Sequence, residues 1–286
     1  MIKNKNSVIV ICGPTASGKS ELAFQLAEEI DAEIVSADSM QIYQDMNIGT
    51  AKVTSEIRAE VPHHMLDIIS PLEKYSVANY SRDATKVIKE LLIQEKRVIL
   101  CGGTGLYINS LLDGLVFIDI PVNDTLRKQI KTEITNDNRL EWHDKIKQLD
   151  PKSGQRIESK DLRRIRRFFE VYQSTNLTQT QINKKSRKKG PDFDFENFYL
   201  KPDRQILYEK INKRTEKMFE EGLIEEVRGL VDKYPGIKEA QSFQAIGYKE
   251  TIAYLEGKKS FEDIIDRISQ VTRNYAKRQF TWFNAR

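Results

Sequence analysis

The chain is poor in the residues that build covalent or metal scaffolds. Its 286 residues include two cysteines and three histidines, too few for a disulfide framework and without metal-ligand spacing. Cys12 and Cys101 each close an apolar run and read as small buried hydrophobes. His63 and His64 stand side by side without a third ligand, so they read as structural or substrate-shaping. No run of about 18 apolar residues occurs, so no membrane-spanning helix is expected. Met1-Ile2-Lys3-Asn4-Lys5 lacks the apolar core of a secretory signal, and a cytoplasmic protein is expected. There is no internal repeat.

A large excess of charge is also missing, since the formal net charge is +4. Its distribution is uneven, however. Residues 127–190 carry 18 Lys/Arg against 8 Asp/Glu, whereas residues 1–126 carry 11 against 17 and residues 191–286 carry 17 of each. The whole surplus lies in one stretch, which points to a polyanionic partner held by a dedicated segment.

What is present begins with Gly13-Pro14-Thr15-Ala16-Ser17-Gly18-Lys19-Ser20. This phosphate-binding loop sits between an apolar β-branched run (7–12) and a run with helical apolar spacing (Leu22, Leu26, Ile30). Successive backbone N–H groups and a helix N-terminus converge there on one point. Lys19 adds a full charge, and the Ser20 hydroxyl stands where it can hold Mg²⁺. A diphosphate or triphosphate is expected, without a choice between nucleotide and other donors.

Strand-like and helix-like runs alternate through the first part: a strand at 33–36, a helix over 77–94, and a buried strand at 97–101. That alternation predicts an α/β fold, a parallel sheet flanked by helices of the P-loop NTPase-like kind. Ligands then sit beyond the carboxyl ends of the strands, where residues 13–20, 38–41 and 102–106 all fall. From about 120 to 200 strand-like runs vanish and helices are expected over 126–135, 140–149 and 160–174. The economical division is a core of 1–119 with 200–286, and a basic helical insertion domain over 120–199. Long helices return at 204–221, 223–233 and 262–283.

Asp38 ends the second strand, 19 residues after Lys19, so its carboxylate should emerge beside the loop. It could hold Mg²⁺ through water or accept a proton from a nucleophile. Residues 98–101 instead run into glycine and lack the terminal Asp of an ATPase's metal-binding strand, which argues against a hydrolytic motor. Gly102-Gly103-Thr104-Gly105 permits close backbone approach and offers the Thr104 hydroxyl. Arg163-Arg164-Ile165-Arg166-Arg167 sets four arginines on about one and a half helical turns, suited to gripping phosphates. Basic and aromatic residues interleave over 273–283, a pattern suited to unpaired bases; packing of Tyr275, Phe280 and Phe283 into the core is the plainer alternative.

Together these segments resemble the tRNA dimethylallyltransferase (tRNA isopentenyltransferase, IPP transferase) family. The ordered blocks are GPTASGKS, SADSMQIY (36–43), IGTAK (48–52), PHHMLDI (62–68), YSVANY (75–80), GGTGLY (102–107), QAIGYKE (244–250) and AKRQFTWF (276–283). The resemblance implies that the loop, with Arg214, holds the diphosphate of dimethylallyl diphosphate, and that Mg²⁺ is the cofactor. The prenyl chain would move to the exocyclic amine of adenosine 37 in the tRNA anticodon stem-loop. It further implies Asp38 as general base, Thr104 as its partner in orienting adenine, and Lys19 on the leaving group. The stretches matching the family's tRNA contacts are Asp38-Ser39-Met40-Gln41, Arg127, residues 163–167, Gln244-Ala245-Ile246-Gly247-Tyr248-Lys249 and Lys277-Arg278-Gln279-Phe280-Thr281-Trp282-Phe283-Asn284. A monomer is expected. Three alternatives remain open: an adenylate isopentenyltransferase, a small-molecule kinase using ATP on the same loop, and a nucleic-acid-binding module with a vestigial loop.

Overall fold

The computed structural model describes residues 7–117, 123–186 and 190–285. Five parallel strands, β1 (Val8–Cys12), β2 (Ala32–Ala37), β3 (His63–His64), β4 (Arg97–Gly102) and β5 (Phe195–Tyr199), form one sheet in the order β3-β2-β4-β1-β5. The register sets Val8 beside Val98 and Ala32 beside Arg97, so the ends of β1, β2 and β4 align. Strands buried on both faces read as continuous apolar runs. Val8, Val10, Val35 and Leu100 face one apolar cluster, and Ile9, Ile11, Ile34 and Ile99 face the other. Helix α1 (Lys19–Ile30) covers the second face through Ala23 and Ala27. The helix α2 (Ser55–Glu60) is a single short element, while α3 (Val77–Ile93) and α4 (Gly105–Leu112) pack on the first face through Tyr80, Ala84, Ile88, Tyr107 and Ile108. Ser76 caps α3 by accepting from Asn79 N, satisfying one orphan donor. Cys12 and Cys101 are buried thiols, and burial pushes the Cys101 thiol up to about 11.

Residues 113–191 form a compact unit of their own. It contains α5 (Asp124–Glu133), α6 (Arg139–Leu149), α7 (Pro151–Arg156), α8 (Leu162–Thr175) and α9 (Gln179–Ser186). Ile130, Ile134, Ile146, Ile165, Phe168 and Phe169 make its core. The buried Asp150 carboxylate ties three elements together. It caps α7 through Ser153 and accepts from the N–H and the hydroxyl of Thr180 on α9. Those bonds outweigh burial and hold its carboxyl down at about 2. Pro121 and Arg187-Lys188-Lys189 of the basic stretch lie outside the described residues, as does the expected boundary at 119/120.

The remaining unit ends with α10 (Arg204–Glu220), α11 (Leu223–Lys233), α12 (Tyr248–Leu255) and α13 (Phe261–Asn284). Asp203 caps α10, and Ser260 with Asp263 forms a capping box on α13. One expectation fails here. The sequence division places 195–199 in a strandless insertion, but β5 pairs in register with β1, Val8 beside Phe195, and the units divide at 112/113 and 191/192. The cause is its edge position. Phe-Glu-Asn-Phe-Tyr is only partly covered, with Phe198 half exposed, so it lacks the apolar run of a central strand. Among the described residues, no helix is long and apolar enough to cross a membrane.

Candidate active site

The loop between β1 and α1 has the strained backbone of an anion cradle. Ala16 (φ 61°) and Gly18 (φ 85°) are left-handed, which turns successive N–H groups toward one side. The N–H of Leu22 already donates to Gly18 O at 3.0 Å, leaving the earlier amides at the start of α1 free for a ligand. Ser17 Oγ is buried without a hydrogen-bond partner, a sign of a missing polar ligand. Lys19 Nζ folds over the loop and donates to Pro14 O at 3.3 Å. Burial lowers the Lys19 pKa, against the opposing pull of Cys101 and Asp38; an arriving phosphate would raise it.

Two side chains from distant elements hold this loop. Gln279 on α13 accepts from Thr15 N and donates to Gly103 O, both at 2.8 Å, pinning the phosphate loop to the β4–α4 turn. Arg214 on α10 donates from Nη1 to Thr15 Oγ1 at 3.1 Å. Burial lowers its pKa too, opposed by Asp38.

Asp38 follows β2 directly, and its Oδ1 accepts from Met40 N at 2.8 Å and from Gln41 N at 3.4 Å. That self-capped turn fixes the carboxylate, and Asp38 lines a cavity. Thr104 Oγ1 accepts from Ser39 N at 3.0 Å and lies 3.4 Å from Ser39 Oγ, locking the ends of β2 and β4 together. The cavity has a volume of about 260 Å³ and is lined by Thr15, Asp38, Arg214, Met218, Gln244 and Tyr275 among others. Burial raises the Tyr275 phenol to about 12, so it stays a neutral hydrogen-bonding group there. A wider cleft of about 1000 Å³ opens on the other side of the loop, lined by residues 16–20, Lys52, Arg58 and Lys217. Cavity and cleft share Arg214 and Met218.

The wall between them includes the loop 47–51, and a carboxylate clamps it. Glu226 on α11 accepts from the backbone N–H groups of Asn47, Ile48 and Gly49 at 2.9, 2.7 and 3.2 Å. It also accepts from Tyr248 Oη at 2.7 Å. Sequence reading misses Glu226, because nothing local in Leu-Ile-Glu-Glu-Val marks a partner 177–179 residues away. Met218 and Tyr275 are likewise missed as cavity residues.

The expected RNA-contacting stretches divide by face. Gln244, Lys249, Lys277, Arg278, Thr281, Trp282 and Asn284 are exposed, and Ser39, Met40, Ile246 and Phe280 are half-buried. Ala245, Gly247, Tyr248, Gln279 and Phe283 are buried and do not offer side chains to a partner. Tyr248 and Phe283 belong to the core. The Gln41 amide donates to Thr50 O and Ala51 O and so braces a loop. In the 113–191 unit, Arg163, Arg164 and Arg167 are exposed while Ile165 is core. Arg166 donates to Lys131 O and Ile134 O at the end of α5, a capping role. Arg127 pairs with Glu170 at 3.4 Å. A contiguous motif on a helix necessarily puts some members inward.

No group of three or more ligating His, Cys, Asp or Glu side chains occurs among the described residues. Beside the loop lie the hydroxyls of Ser17 and Ser20 and the carboxylate of Asp38, with Glu21, Asp67 and Glu221 also on the cleft wall. That set fits a Mg²⁺ that keeps waters and arrives on a phosphate ligand, and it does not fit a resident all-protein metal cage.

Fold and site thus define a phosphate-loop α/β protein whose anion cradle adjoins a cavity holding one carboxylate. The family model described as IPP transferase matches residues 41–286, and the chain belongs to that family. A tRNA dimethylallyltransferase of Carboxydothermus hydrogenoformans is 43% identical over 276 residues, covering 96% of this chain and 88% of the relative. Among solved structures, the full-length tRNA isopentenylpyrophosphate transferase of Bacillus halodurans aligns with a TM-score of 0.70 at 37% identity, covering 98% of this chain and 88% of that one. A eukaryotic dimethylallyltransferase acting on tRNA aligns with a TM-score of 0.76 at 28% identity, covering 97% and 69%.

Proposed function

We propose that the protein is a tRNA dimethylallyltransferase that moves a dimethylallyl group from dimethylallyl diphosphate to the exocyclic amine of adenosine 37 in the anticodon stem-loop. The observation that carries this reading is the pairing of an anion cradle with an adjoining cavity that presents Asp38. The loop amides, Lys19 and Arg214 receive the diphosphate, and Ser20 would hold its Mg²⁺. Mg²⁺ would supply further positive charge on the departing diphosphate. The C–O bond to diphosphate breaks as a C–N bond forms, and the leaving group departs with the electron pair. The amine loses a proton, and Asp38 Oδ2 accepts it. The adenine must leave the anticodon stack to reach this depth, at a cost on the order of a few kcal/mol. Tyr275 lines its side of the chamber, and Thr104 holds Ser39 at its edge. The proposed acting form is the monomer.

Incubation with labelled dimethylallyl diphosphate and either unmodified tRNA or AMP tests the reading. Label is expected in tRNA alone. Label in AMP alone would make the protein an adenylate isopentenyltransferase, and ATP turnover without a prenyl donor would make it a kinase.

The exposed arginines of α8 give a separate expectation. Arg164 pairs with Asp161 and Arg167 with Glu170, while Arg163 makes no ion pair among the described residues. Replacing Arg163 and Arg167 together with Ala should weaken tRNA binding and reduce the slope of log K against log salt by about 1–2. Filter binding at several salt concentrations measures it. An unchanged slope would remove these arginines from the RNA interface.

A further inference from the structure

The diphosphate cleft and the nucleobase cavity lie on either side of a shared wall, and the donor's reactive carbon must reach past it to the amine. That wall has three parts. The phosphate loop divides it, with Thr15 on the cavity side and Ala16 on the cleft side. The loop held by Glu226 divides it again: Gly49 and Thr50 face the cavity, while Asn47, Ile48 and Ala51 face the cleft. The third part is α10, from which only Arg214 and Met218 border both chambers. They stand four residues apart and so lie on one helical face.

Their chemistry differs as the two ends of an allylic diphosphate differ. Arg214 is a buried cation bonded to Thr15 of the phosphate loop, suited to the charged head. Met218 is 8% exposed, apolar, and part of the main core cluster. Its thioether side chain fills irregular space by rotamer change. With the head in the cradle and the reactive carbon aimed at Asp38, the hydrocarbon tail meets Met218 at the point where the chambers join.

We propose that Met218 sets the length of prenyl chain the enzyme accepts, by occupying the space that the second isoprene unit of a longer donor would need. This rests on the assignment of an allylic diphosphate as donor. Hydrophobic pockets discriminate by size with factors of about 10–200. Met218→Ala should therefore raise the ratio of kcat/KM for geranyl diphosphate over dimethylallyl diphosphate at least about tenfold, with tRNA as acceptor. Met218→Phe should lower kcat/KM for dimethylallyl diphosphate about tenfold while the Kd for inorganic pyrophosphate stays within about twofold. Thermal melts verify folding, and Met218→Val makes the same comparison with a smaller void should the Ala variant fail to fold. A ratio within twofold of the parent in a folded Ala or Val variant would overturn the role of Met218 alone. Failure of the parent protein to transfer from dimethylallyl diphosphate to tRNA would instead overturn the donor assignment on which it rests.

Discussion

Asp38→Asn should lower the rate constant for prenyl transfer by roughly 10²–10⁴, the range a general base contributes, with the fold intact. Asn is the informative replacement because Oδ1 of Asp38 already accepts from Met40 N and Gln41 N. An amide oxygen can keep both bonds, so the turn after β2 survives and only the proton acceptor is lost. Asp38→Ala removes the cap as well and would mix the two effects. Loss of the carboxylate also changes the field at Lys19 and Arg214, whose pKa values it supports. That electrostatic share is separated by measuring pyrophosphate affinity in the same variant, which should tighten or hold because a nearby negative charge has gone. Single-turnover transfer to an anticodon stem-loop reads the chemical step, and filter binding reads tRNA affinity, expected to change by no more than a few-fold. Transfer at more than a tenth of the parent rate would exclude Asp38 as the base.

Much of this site was legible from sequence because its elements are local. The phosphate loop is a contiguous motif, and the alternation around it places Asp38 and Thr104 at neighbouring strand ends, where their hydrogen bonds are found. The basic segment showed as a separate unit because charge composition changes there. What escaped depends on long-range partners. β5 looked like part of the insertion because an edge strand needs no apolar run. Gln279 and Glu226 act on residues 264 and 177–179 positions away, and no local pattern announces such pairs; Arg214, 199 positions from Thr15, is placed at the loop by the family resemblance alone. The family blocks marked whole stretches as RNA contacts, whereas helix periodicity sends Ile165, Tyr248, Gln279 and Phe283 inward. Gln279 shows the consequence: a residue expected to touch tRNA instead holds the phosphate loop against the β4–α4 turn.

Tyr248 makes the distinction between contact and support measurable. It is fully buried, packs against Phe243 with ring centroids 5.6 Å apart, and lies so close to Gly49 that a Cβ there would sit 2.4 Å from its ring. Its hydroxyl completes the set of donors on Glu226, which in turn holds the loop 47–49. Truncating a buried aromatic ring to Ala costs about 3–5 kcal/mol, and for a protein of this size each kcal/mol moves the melting midpoint by about 2–4 °C. Tyr248→Ala should therefore lower the midpoint by on the order of 10 °C. Tyr248→Phe keeps the ring and loses only the bond to a charged acceptor, about 1.5–3 kcal/mol, so it should fall between. A direct RNA contact predicts the opposite pattern: an unchanged melt and weaker tRNA binding in both variants, with the salt slope of a neutral contact left as in the parent. If the Ala variant melted with the parent protein and lost tRNA affinity, the tyrosine would have to face the partner. The structure turns it away. Its hydroxyl reaches the loop 47–49 through Glu226.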